Sequence, residues 1–145
     1  MDNYEKHICV DILIFNKSGE LALQKRSLND KSFPGYWDFS AGGHIDSGEE
    51  SQKAAERELF EELGINTPLT FIKREIFHYP SWNSDIIREV DADIYTGISD
   101  KKFKINFKEV SMISFFKLQE IQKKIDNGVK IHPEFILAWK KGVIS

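Results

Sequence analysis

Residues 7 to 16, "HICVDILIFN", form a nearly continuous apolar and β-branched run, which predicts a strand. "KSGE" reads as a turn, and "LALQKR" returns as a second strand, so the pair predicts a hairpin. "SLNDKSFPGYW" predicts a loop that turns at Pro34-Gly35, and "WDFSAGGHI" an extended, glycine-broken segment. "LTFIKREIFHY" and "DIIREVDADIYTG" read as strands joined by a turn at "PSWNS", and "VSMISFFKL" as another strand. "LQEIQKKIDNG" predicts a helix ending at Gly128, and "PEFILAWKKG" a short helix with Pro133 in its first turn. With a helix in the middle of the chain, described next, this order predicts an α/β fold in which helices sandwich a mixed sheet.

That middle helix lies within "GGHIDSGEESQKAAERELFEELGI", residues 42 to 65. It should start near Glu49 or Glu50, capped by Asp46 or Ser47, and stop at Gly64. Ala55, Leu59 and Leu63 recur at spacings of four and form the stripe that packs on the sheet. Glu58, Glu61 and Glu62 share an arc of roughly 100° on the wheel. Like charges on adjacent turns repel. A hard divalent cation with oxygen ligands, Mg²⁺ or Mn²⁺, is the natural compensation.

Composition narrows the classes without choosing among them. The chain has 145 residues, 41% of them hydrophobic, which fits one folded domain over residues 1–145. A net charge of −3 argues against duplex nucleic acid as a partner. Cys9 is the lone cysteine and reads as a buried core residue, so neither an internal disulfide nor a cysteine-rich zinc site is expected. "MDNYEKH" lacks the features of a secretory leader, and no apolar run is long enough for a bilayer, so a cytoplasmic protein without a membrane partner is expected.

The spacing of the glycines and glutamates is more telling. Gly43 is followed by five residues and Glu49; seven more lead to "RELFEELGI", residues 57 to 65. This resembles the Nudix box at each defined position. The resemblance implies an α/β/α sandwich with a mixed sheet, and a Mg²⁺- or Mn²⁺-dependent hydrolase of a nucleoside diphosphate linked to another group or of a related organic diphosphate, with a module that binds a nucleotide without turnover as the non-enzyme alternative. By the same resemblance Glu58 and Glu62 ligate metal, Glu61 does so directly or through water, and the carbonyl of Gly42 or Gly43 adds a ligand. Glu49 and Arg57 support them from behind. The general base falls to Glu109, before the strand "VSMISFF", or to Glu58, the first glutamate of the "RE" pair; Glu61 stands with them as a catalytic candidate. Lys25 and Arg26 are candidates for substrate phosphate, and Trp37, Tyr36 and Trp82 for stacking on the substrate. Many members of the family are homodimers, which leaves a homodimer as an open expectation.

"LQKRSLNDKSFPGYWDFSAGGHIDSGE" carries a second resemblance, to the branch that includes isopentenyl-diphosphate isomerase. His44 matches a metal-binding histidine there, and Glu89 a strand glutamate that serves metal binding and protonation. The isomerase cysteine would stand at position 42, which is glycine here. Cys9 lies far off along the chain, and the isomerase's N-terminal metal histidines have no clear match. These departures imply hydrolysis rather than isomerisation. The identity of the group attached to the diphosphate is not legible from these motifs.

Overall fold

The computed structural model describes residues 4–144; Met1 to Asn3 of the opening segment and Ser145 fall outside the described residues. The apolar run at the start becomes β1 (Tyr4–Phe15), with β2 (Leu21–Arg26), β3 (Trp37–Asp38) and β4 (Ala41–His44) after it. The glutamate segment forms α1 (Ser51–Leu63). It is followed by β5 (Thr70–Pro80), β6 (Ile87–Ile98), β7 (Val110–Phe116), α2 (Leu118–Asp126) and α3 (Pro133–Lys140).

The seven strands form one mixed sheet in the order β3-β2-β1-β6-β5, with β4 also on β1 and β7 on β2. β1 runs parallel to β6 from Tyr4↔Ile87 to Phe15↔Ile98, while the other pairings are antiparallel. The expected hairpin is reduced to its turn: β1 and β2 pair only at Phe15↔Leu21. The cause lies in β1, which is buried from Cys9 to Ile14 and whose ladder bonds go to β6 and β4.

The alternation of β1 divides the core. Val10, Ile12 and Ile14 meet Ala54, Ala55, Leu59 and Leu63 of α1. Cys9 and Leu13 belong to the opposite face, with Phe77, Val90, Ile121 of α2 and Phe135 of α3. The fold is therefore an α/β/α sandwich. Among the described residues no helix is long and apolar enough to cross a membrane.

The ends of α1 are built differently from each other. Gly64 takes the left-handed conformation expected of it, with φ 68°. At the start, Glu50 is the cap residue and makes no side-chain cap bond, so neither Asp46 nor Ser47 serves. Asp46 instead closes a tight turn with Glu49: Glu49 N donates to Asp46 O at 2.9 Å, and Asp46 N to Glu49 Oε1 at 3.0 Å.

Candidate active site

A cavity of about 420 Å³ opens where α1 meets the strands, lined by Glu58, Glu62, Gly42, Gly43, His44 and Glu109. α1 brings Glu58 and Glu62 one turn apart onto its inner face. Glu62 is 5% exposed. Its Oε1 accepts from Gln24 Nε2 at 2.6 Å and its Oε2 from Gly42 N at 3.3 Å. Burial, reinforced by the adjoining Glu58 carboxylate, raises the Glu62 pKa well above the ordinary range.

Arg57 fastens the loop before α1 to the helix. Its Nε and Nη2 donate to Glu49 at 2.8 and 2.9 Å, and Nη2 also to the His44 carbonyl at 3.1 Å. Its Nη1 reaches Glu58 at 2.8 Å and Glu61 at 3.3 Å. This fork lowers the Glu49 pKa to about 2, with Arg57 as the main cause. Glu61 does not line the cavity: its side chain is 48% exposed and turns to Arg57.

Among the described residues no three His, Cys, Asp or Glu side chains converge into a closed metal cluster. Mg²⁺ does not require one, since it is held through one or two carboxylates together with water and substrate oxygens. Glu58 and Glu62, beside the glycine strand β4, are such a donor pair, and their mutual proximity is costly without a cation. The residues fit a hard divalent ion.

Glu109 arrives on a different segment. Lys104 N donates to Leu63 O at 2.8 Å and Asn106 N to Glu62 O at 3.0 Å, which ties this loop to the end of α1. Desolvation, followed by the charges of Glu58 and Glu61, raises the Glu109 pKa. Lys108 lines the cavity next to it and makes no ion pair among the described residues.

The expected phosphate contacts are placed otherwise. Lys25 does not line the cavity, because Gln24 and Arg26 on either side of it do; its ammonium lies 5.9 Å from the Trp37 ring centre. Arg26 lines the cavity, but its guanidinium is held by Asp30 and Asp38, both at 3.0 Å, and by Ser32 O. Trp37 packs edge-on against Phe116. Its backbone anchors the start of α3, with His132 N donating to Trp37 O at 2.8 Å. Tyr36 and Trp82 pack around Phe33, outside the cavity lining.

Glu89 points away from the cavity and bonds His78 at 2.9 Å, while its neighbour Arg88 lines the cavity. His44 lines it, and its Nε2 is 2.8 Å from Nδ1 of His7 on β1, a residue that no motif in the sequence singles out. Burial and His7 lower the His44 pKa. Cys9, distant in sequence, sits opposite His44 in the β1–β4 register and lines the same cavity. Burial and Glu134 push its thiol up to about 12. Deeper in, Asp11 and Glu134 stand close enough to share a proton. Burial and this neighbour raise Asp11 well above the usual range.

Position 42 has no space for a side chain. A Cβ there would lie 2.8 Å from the Val10 carbonyl oxygen and 3.1 Å from Asp11 Oδ1. One at Gly43 would lie 2.5 Å from the Glu58 carboxyl carbon.

The NUDIX domain family model matches residues 5–139 of the chain. An uncharacterised Nudix hydrolase of Listeria monocytogenes is 34% identical over 133 residues, covering 92% of this chain and 76% of that protein. Isopentenyl-diphosphate Delta-isomerase 2 of Photorhabdus laumondii is 33% identical over 139 residues, covering 96% and 76%. Among solved structures, a MutT protein from Methanosarcina mazei is similar with a TM-score of 0.70 at 27% identity, covering 81% of each chain.

Proposed function

The chain belongs to the NUDIX domain family, and from that premise we propose that it hydrolyses the diphosphate linkage of a small organic diphosphate. The observation that carries this reading is the Glu58–Glu62 pair on one face of α1, opening into a cavity that Lys108 and Glu109 also line. Glu58 and Glu62 are the residues to hold Mg²⁺ or Mn²⁺. When bound, that ion neutralises phosphate charge and makes water a better nucleophile.

The chain's own groups then have distinct tasks. Gln24 and the Gly42 amide fix the Glu62 carboxylate. Arg57 holds Glu58 and, through Glu49, the loop that carries the glycines. Lys108 is the cation best placed for a phosphate oxygen. Glu109, with its raised pKa, is suited to take the proton of the attacking water. Water oxygen bonds to phosphorus, the bridging P–O bond breaks, and the two products leave as phosphate-bearing fragments or orthophosphate.

A phosphate-release screen with Mg²⁺ and Mn²⁺ over nucleotide sugars, dinucleotides, nucleoside diphosphates and prenyl diphosphates tests this. Release that is lost in Glu58→Gln and Glu62→Gln supports it; no release above those variants overturns it.

Isomerisation of isopentenyl diphosphate is the second reading, favoured by Cys9 and His44 on one cavity wall. The closed space at Gly42 and the raised pKa of Cys9 weigh against it. A product of unchanged mass, with no phosphate released, would replace hydrolysis by that reading.

A further inference from the structure

β5 is the outermost strand on its side of the sheet. It pairs with β6, and among the described residues no hydrogen bond reaches its other edge. The strand is 11 residues long, and alternate backbone N–H and C=O groups along it face away from β6. Its first half is uncovered, since Thr70 to Arg74 are all exposed. Phe71, Ile72 and Ile76 are 51%, 39% and 49% exposed. A long edge strand with apolar side chains in solvent is a template for a further strand.

The charges at the middle of β5 select which strand fits. An antiparallel copy of β5, related by a two-fold axis through Arg74, sets Lys73 opposite Glu75 of the copy and Glu75 opposite Lys73 of the copy. Within one chain Lys73 lies 2.8 Å from Glu75, so the axis assembles the two pairs into a square of alternating charge. The same register brings Ile72 beside Ile76 of the copy on both sides of the axis. Moving the axis to Lys73 opposes two lysines, and moving it to Glu75 opposes two glutamates; both are destabilising. The Arg74 side chains that meet at the axis are already neutralised, because each donates to Asp93 of its own chain at 2.7 and 3.2 Å. Lys73, Arg74 and the irregularity between Phe71 and Lys73 turn away strands of other sequence.

We infer that the chain pairs with a second copy of itself along β5, in the register centred on Arg74, and that the two sheets join into one. This goes beyond the hydrolase reading and does not depend on it. Tyr79, near the far end of β5, is the residue of this strand that lines the cavity, so both cavities stay open in the pair. One strand-to-strand ladder is a small interface, so the association is weak and concentration-dependent.

Sedimentation equilibrium of the intact chain over a concentration series tests this. Wild type should shift from one chain to two as concentration rises, and high salt should weaken the shift. Lys73→Glu sets glutamate against glutamate at both contacts, and Glu75→Lys sets lysine against lysine. Each variant alone should associate at least about tenfold more weakly. Mixed in equal amounts, the two variants regain both opposite-charge contacts and should form a mixed dimer of near wild-type strength. If a variant does not fold, amide hydrogen exchange on the wild type provides the same reading: residues 71–77 should gain protection as concentration rises. A wild type that stays monomeric throughout, a dimer that neither variant weakens, a mixture no tighter than the variants alone, or protection that rises elsewhere and not on β5 overturns the proposal. These measurements use no substrate, so failure of the hydrolase reading leaves them unchanged.

Discussion

Gln24 donates to Glu62 at 2.6 Å, joining the second strand to the last turn of the glutamate helix. The amide has a second bond, to Ser40 O at 3.2 Å, so it is held from both sides. A buried carboxylate fixed by such a donor is positioned before any ion arrives. Gln24→Leu is expected to raise the Mg²⁺ concentration needed for half-maximal activity and to lower turnover about 10- to 100-fold. A metal titration of activity measures both, and an unchanged titration curve would remove Gln24 from the site.

Divalent ion should also stabilise the fold. Bringing Glu58 and Glu62 together in a desolvated site raises the Glu62 pKa, so ionised Glu62 opposes folding at neutral pH. A cation bound only by the folded chain adds about 2.7 kcal/mol at a hundredfold excess over its dissociation constant. The melting temperature is expected to be higher in saturating Mg²⁺ than in EDTA, and the difference to shrink in Glu62→Gln. Equal melting points in the two buffers contradict this.

The Glu49–Arg57 fork has a defined pH signature. The folded pKa of Glu49 is lowered to about 2 from an ordinary value of 4.5. A depressed carboxylate contributes stability above its unfolded pKa and loses it as pH falls through the folded value. The melting-point difference between wild type and Glu49→Gln should therefore be complete above pH 4.5 and fade toward pH 2. A difference that persists at pH 2 would mean that the contact does not depend on charge.

The two glycines of β4 should fail in different ways. Gly43→Ala pushes on the movable Glu58 carboxylate, so turnover should fall at least about tenfold with the fold retained. Gly42→Cys meets the Val10 backbone, so stability should fall by about 1–3 kcal/mol and no isomerase activity should appear. Thermal melts and turnover on the two variants separate these outcomes; isomerisation by a stable Gly42→Cys chain would refute the second.

Cys9 should be chemically quiet. A thiol moved from 9.0 to about 12 holds roughly 1000-fold less thiolate at pH 8. Labelling by iodoacetamide is expected only after unfolding in urea. Rapid labelling of the native protein would return Cys9 to consideration as a reactive group.

How legible the site was depended on where its parts come from. α1 carries its signal locally: the Ala55, Leu59 and Leu63 stripe, the glutamate edge and the Gly64 stop lie in one short stretch. Its neighbours come from register. Lys25 carries the charge that suggests a phosphate contact, but Gln24 faces the glutamates, because alternation turns adjacent strand residues to opposite sides. Glu89 and Arg88 differ in the same way. Cys9 meets His44 only because β4 returns antiparallel along β1. Asp11 and Glu134 come from the first strand and last helix, and no local pattern links them. Trp37 carries an exposed-turn signal in the sequence, while its ring packs on Phe116 and its backbone anchors α3, contacts that no local pattern announces.

Gly64 closes α1 with Lys104 O lying 2.6 Å from where its Cβ would be, and the loop there bonds the carbonyls of Leu63 and Glu62. The helix end and the Lys108–Glu109 segment therefore behave as one part of fixed length. An insertion or deletion between Phe103 and Val110 would displace Lys108 and Glu109, the proposed phosphate cation and base, together; Ser27 N also donates to Glu109 O at 3.3 Å, whereas residues 28–36 reach the cavity through Asn29, Asp30 and Ser32 with no hydrogen bond to that segment among the described residues. Redesign of substrate range can use the 28–36 loop as its variable module and keep Ser27 and the 103–110 segment as they are.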